Sequence, residues 1–108
     1  DRSSIIIKIS GRYTLTDRFD IRRFSRSKIS INRAVRHWAV NNDKTFSITI
    51  MFAFAPCVRD TMIQRLKYVQ ERGCGIEDNI MYGFHDFKNV EVLGVRGALA
   101  PTGEIIDL

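Results

Sequence analysis

The sequence predicts an α/β sandwich with a mixed sheet, and three observations lead there. Ile5–Ile9 is an apolar run of β-branched residues broken only by Lys8, the pattern of a strand covered on both faces. Thr45–Phe54 sets Phe46, Ile48, Ile50, Phe52 and Phe54 against Ser47, Thr49, Met51 and Ala53, the period of two that marks a strand. Within Val58–Arg72, Met62, Leu66 and Val69 recur with Ile63 beside them, giving the apolar stripe of a helix.

The elements follow in order. Ser10-Gly11 punctuates the first strand. Residues 14–36 show no clean period, with Phe19, Ile21, Phe24, Ile29 and Ile31 scattered among arginines. They read as a loop with a short helix or two, leading into Ile31–Val40 as strand or helix. Asn41-Asn42-Asp43 is a turn, and Pro56 stops the phenylalanine-rich strand. Gly73 stands where a left-handed helix cap is expected. A second helix is expected from Ile76 to about Phe84, then strands over Val90–Val95 and Glu104–Ile106. The order β, irregular, β, α, α, β, β suggests part of an α/β sandwich.

The 108 residues allow one domain, and 44% hydrophobic content is that of a globular chain. No apolar run approaches the roughly 20 residues of a membrane-spanning helix, and Ile5–Ile9 is too short and too broken for a signal peptide. The chain opens on Asp1 and closes within strand-like sequence, Ile105-Ile106-Asp107-Leu108. The single domain over 1–108 is therefore expected to be a piece of a larger one. Cys57 and Cys74 lack CxxC spacing, which argues against zinc and leaves either a disulfide or two buried free thiols. Compartment is undecided; a bacterial or viral source would imply the cytoplasm.

Charge is uneven. Residues 1–36 hold ten Lys/Arg against three acids, and the remainder seven against nine. The basic third points to an anionic partner such as phosphate, nucleotide or nucleic acid, or to a solvated arginine-rich loop.

Two constellations can carry chemistry. In open α/β sheets ligands sit beyond the C-terminal strand ends, so Gly11-Arg12-Tyr13 would face a ligand if Ile5–Ile9 were central. Gly11 allows close backbone approach, Arg12 can clamp a phosphate or carboxylate, and Tyr13 can stack and offer its hydroxyl. The same residues also fit a plain turn. The second is Gly73-Cys74-Gly75-Ile76-Glu77-Asp78-Asn79. Acids at a helix start complement the dipole, but a helical wheel separates these two. Glu77 falls on the edge of the face defined by Ile76, Ile80 and Phe84, and Asp78 on the opposite side, so one can be structural and the other catalytic. His85 lacks companions for a metal, and Trp38, beside Arg36 and His37, reads as a core residue or a stacking platform. The Gly94–Glu104 stretch has no GxxxxGK[ST] spacing and is not a phosphate-binding loop.

IIIKISGRY resembles the K-(hydrophobic)-(S/T)-G-R-Y strand end of some GT-A-like glycosyltransferases of surface-polysaccharide and viral type. FSITIMFAF before a helix, GCGIEDNIM, and the late LGVRG…APTGE segment extend the resemblance over most of the chain. It implies a partial Rossmann-like GT-A sandwich, the C-terminal catalytic portion of an enzyme moving a sugar from a nucleotide-sugar donor to a glycan or other hydroxyl acceptor. Glu77 and Asp78 match the acidic pair whose carboxylate activates the acceptor in inverting members. Gly11-Arg12-Tyr13 stands where the family's D-x-D sequence holds a metal and the sugar diphosphate. No D-x-D occurs here, which puts a divalent metal in question; Arg12 and Lys8 can neutralise a diphosphate without one. The resemblance thus assigns Asp78 and Glu77 to catalysis and Lys8, Gly11, Arg12 and Tyr13 to substrate binding. Two rivals remain. One is a nucleic-acid-binding module using residues 18–36 with Tyr13 and Trp38. The other is a non-catalytic domain kept soluble by its arginines.

Overall fold

The computed structural model describes residues 4–33, 47–73, 75–98 and 102–108. Trp38, His37, the Asn41-Asn42-Asp43 turn and Cys74 lie outside them, as does most of the Ile31–Val40 segment. Strands β1 (Ile6–Ile9), β2 (Tyr13–Leu15), β3 (Ile29–Asn32) and β4 (Ile48–Phe54) come first, with a 3-10 turn at Ile21–Arg23. A second 3-10 turn, Pro56–Val58, leads into helices α1 (Arg59–Arg72) and α2 (Ile76–Asn79), and strands β5 (Phe87–Asn89), β6 (Val95–Ala98) and β7 (Ile105–Asp107) follow.

The predicted α/β class with a mixed sheet is what these strands form. One sheet has the order β1-β4-β3-β5, antiparallel except for the parallel β3–β5 pair. A second, antiparallel sheet has the order β2-β6-β7. The larger sheet is the middle layer. On one side Ile29, Ile31 and Phe52 pack with Met62 of α1 and with Ile80 and Met81. On the other, Ile48, Met51 and Ala53 meet Val95 and Ile106 of the second sheet, with Phe24, Val90 and Leu93 filling between.

Ile5–Ile9 is not a strand covered on both faces. Among the described residues β1 is an edge strand, with Ile6 45% and Ile9 36% exposed. Lys8 explains the position, since a charged side chain is tolerated on an edge strand, where it also discourages further pairing. The buried central strand is instead β3, all four of whose residues are buried. Its polar face is satisfied internally: Ser30 Oγ accepts from the Ser25 N–H at 2.8 Å, and Asn32 Nδ2 donates to the Val90 and Glu91 carbonyls at 2.7 and 3.1 Å. That polarity hid β3 within the irregular stretch.

The alternation of β4 also breaks. Ile48 lies in the core between the sheets together with Met51 and Ala53, whereas Phe52 belongs to the helix-side core and Phe54 packs against it. Residues three apart share a face only where a strand is irregular, and the β3–β4 register shifts between Ser30 and Asn32.

Helix α1 ends as expected: Gly73 adopts φ 66°, and its N–H bonds the Val69 carbonyl at 3.1 Å. Its buried stripe runs differently, because Leu66 is 41% exposed while Arg65 turns toward α2. The second helix is a single turn rather than a run to Phe84. Asn79 folds its Nδ2 back onto the Gly75 carbonyl at 2.8 Å. Arg65 then takes the carbonyls of Asn79, Ile80 and Tyr82 at 3.2, 2.7 and 2.7 Å, which would otherwise face an advancing helix. The expected Val90–Val95 strand likewise starts only at Val95. Gly94, at φ 76°, turns the chain there against the Phe19 backbone.

Candidate functional site

Four side chains from three elements meet at the end of the β1–β4 ladder. Lys8 Nζ donates to the Thr49 carbonyl at 2.6 Å and to Ser10 Oγ at 2.9 Å. Thr49 Oγ1 donates to Glu77 Oε2 at 3.1 Å. The Glu77 carbonyl accepts from the Ser47 N–H at 2.8 Å, fastening α2 to the start of β4. The other carboxylate oxygen of Glu77, Oε1, makes no hydrogen bond with a described residue. Burial against the sheet lowers the Lys8 pKa, and the Glu77 carboxylate partly opposes it. The Lys8 ammonium also lies 5.4 Å from the centre of the Phe52 ring.

The structure thus joins Lys8 to Glu77 through Thr49. Asp78 lies in α2, but its side chain is outside the described residues. Thr49 and Ser10 were not singled out from sequence. The signal available was a hydroxyl on the small-residue side of a phenylalanine-rich strand, and nothing local tied it to an acid on a later helix.

Gly11-Arg12-Tyr13 is a hydrogen-bonded turn, with the Tyr13 N–H on the Ser10 carbonyl at 3.0 Å. It carries the chain from the first sheet into the second. Gly11 has no positive φ, and a Cβ there would meet nothing within 4 Å, so the fold itself does not require glycine. The Tyr13 ring is half-buried over Gly97, where a Cβ would come within 2.5 Å of it. Burial raises the Tyr13 pKa, and the Arg12 charge partly lowers it. Arg12 is exposed and makes no ion pair or side-chain hydrogen bond with a described residue; no contact links it to Lys8 or Glu77.

The basic segment is largely engaged. Asp20 grips Arg22 with both oxygens, at 3.0 and 2.9 Å. Arg18 lies 3.7 Å from Asp107, Lys28 pairs with Asp86 at 3.2 Å, and Arg23 donates to the Arg18 carbonyl. Cys57 is a free thiol, exposed rather than buried. His85 is exposed, and no group of three or more His, Cys, Asp or Glu placed to hold a metal occurs among the described residues. No helix among them is long and apolar enough to cross a membrane.

An open depression of about 420 Å³ lies elsewhere, along α1 between Gln64, Arg65, Lys67, Tyr68 and Phe84. It is not the site of the Lys8–Glu77 cluster, and Arg65 at its wall is already committed to three carbonyls.

Comparison with protein-family models, with curated proteins and with solved structures finds no match to this chain.

Proposed function

We propose that this chain is the catalytic portion of a GT-A-like glycosyltransferase, its larger sheet part of a Rossmann-like sandwich, acting on a nucleotide-sugar donor and a hydroxyl acceptor. The observation that supports this reading is the convergence of Lys8, Ser10 and Thr49 with Glu77, residues drawn from three separate stretches of the resemblance. In the proposed step the acceptor oxygen bonds to the anomeric carbon. Its proton passes to the free oxygen of Glu77, with Asp78 the alternative base. The bond from that carbon to the diphosphate breaks, and the nucleoside diphosphate leaves with the electron pair. Arg12 meets its charge. Thr49 holds the Glu77 carboxylate by its other oxygen, and Lys8 steadies Thr49 through the backbone. Tyr13 supports the turn from beneath, and Gly11 leaves room for the substrate over it.

The test is an amide NMR titration of the chain with UDP-, GDP- and CMP-sugars. Shifts gathered at residues 8–13 and 75–79, weakened in Glu77→Gln or Asp78→Asn, are the expected result. No response at either segment to any of the three donors overturns the reading.

A further inference from the structure

We propose that Ser10 and Lys8 form a nucleophile–base pair that cleaves carboxylic esters by way of an acyl-serine. This goes beyond the transferase reading and does not rest on it: that step runs through Glu77, this one through Ser10.

The pair is placed by distance. Lys8 and Ser10 are two residues apart in extended chain, so their side chains share a face. The Ser10 N–H bonds the Ile50 carbonyl at 2.8 Å, carrying the β1–β4 ladder one residue past the end of β1. Lys8 Nζ lies 2.9 Å from Ser10 Oγ, within the range at which a base takes a nucleophile's proton. The same nitrogen is held by the Thr49 carbonyl at 2.6 Å. A carbonyl only accepts, so it fixes one N–H of Lys8. Once the amine is neutral, its lone pair is left for the Ser10 hydroxyl. Nucleophile, base and a third group that orients the base are thus together. Burial lowers the Lys8 pKa and outweighs the Glu77 carboxylate, which raises it. A lysine shifted this way holds more of the neutral form that accepts a proton.

The turn after Ser10 supplies the remaining parts. The N–H groups of Gly11 and Arg12 make no hydrogen bond with a described residue. The N–H of the residue after a nucleophile is a ready donor to the oxyanion of a tetrahedral intermediate, and Gly11 holds that position. A Cβ at Gly11 would meet nothing within 4 Å, so the space beside it is open to a substrate. Among the described residues β1 is an edge strand, and Ser10 beyond it is only half-buried. An ester suits such an open turn, because an alcohol departs more readily than an amine.

In the step, Ser10 Oγ bonds to the ester carbonyl carbon as its proton passes to the neutral Lys8 amine. The bond from that carbon to the alcohol oxygen breaks. The alcohol leaves with the electron pair and takes the proton from Lys8. Water then attacks the acyl-serine and gives its proton to Lys8. The carboxylic acid is released, and Ser10 recovers the proton.

The experiment treats the chain with p-nitrophenyl acetate and, separately, with an alkyl fluorophosphonate, and maps the adducts by peptide mass. Both reagents are expected to modify Ser10, and nitrophenolate release should continue beyond one equivalent. Ser10→Ala should abolish the adduct. Lys8→Arg keeps the charge but cannot accept a proton, and should slow fluorophosphonate labelling at least about 100-fold. Mapping on the unaltered chain needs no variant, so a misfolded variant cannot decide the outcome. The proposal is overturned if Ser10 takes no adduct, or if adducts fall only on Cys57, Cys74 or lysines. It is equally overturned if release stops after one equivalent. Lys8→Arg that keeps a dispersed amide spectrum and labels Ser10 within about threefold of the unaltered rate also overturns it.

Discussion

Arg65 is the side chain on which the position of α2, and with it Glu77, most depends. Its guanidinium donates to three carbonyls at the end of α2 and the turn after it. The same group lies 4.8 Å from the Tyr68 ring centre and 5.5 Å from that of Phe84. Burial lowers its pKa, the mark of a cation partly withdrawn from water. A single helical turn cannot hold itself, since nucleation fixes several residues for one hydrogen bond. Arg65→Ala removes three hydrogen bonds of about 0.5–1.5 kcal/mol each. It also removes two cation–π contacts of about 0.5–1 kcal/mol each at a partly exposed site. Water reaching the freed carbonyls returns part of this, so a loss of about 2–4 kcal/mol is expected. In urea, at roughly 1–2 kcal/mol per molar for a chain of this size, that moves the unfolding midpoint down by more than about 1 M. Native-state hydrogen exchange should show the Ile80 and Tyr82 amides, which bond the Ile76 and Asn79 carbonyls, losing protection before the amides of α1. Arg65→Lys should recover less than half the loss, because one ammonium lacks the planar fork and the stacking face. A change below about 0.5 kcal/mol, with Ile80 and Tyr82 still protected, would refute this account of how α2 is held.

Two further perturbations have sharp expectations. Gly97→Ala places a methyl group 2.5 Å from the Tyr13 ring and 2.6 Å from the Arg12 carbonyl, so about 1–3 kcal/mol of destabilisation should appear in thermal or urea unfolding. Gly11→Ala meets open space and should leave stability within about 0.5 kcal/mol while weakening any ligand that approaches the turn. The Asp20 carboxyl, held by hydrogen bonds from the Arg22 side chain and backbone, is lowered from 3.8 to about 2. Its stabilising contribution is present above the ordinary carboxylate value and is lost as pH falls from there through about 2. A side-chain NMR titration should find that midpoint, and Arg22→Ala should return it toward 3.8.

Much of the candidate site was legible one residue at a time and almost none of it as a set. Lys8 and Glu77 were singled out for their local company, a strand end and a helix start. Their connection runs through Thr49, whose role depends on which strand pairs with β1 and on where α2 docks. The buried side of α1 was misjudged at Leu66 because period alone cannot tell that an arginine one residue earlier finds three carbonyls on a neighbouring turn. The basic third was correctly seen as cationic. That two of its cations, Arg18 and Lys28, face Asp107 and Asp86, far along the chain, was not visible in local composition.

By itself, the sequence determined the α/β class, the span and left-handed cap of α1, the existence of β4 and the turn after β1. These depend on hydrogen bonds and side-chain periods among residues close in the chain. Only the tertiary structure decided that β1 is an edge, that β3 is central, that β4 changes faces partway, and that Lys8 and Tyr13 belong to different sheets. Strand order and register are choices among long-range pairings. The energy that selects among them comes from burying both faces of the larger sheet at once, a quantity that no short stretch of chain contains.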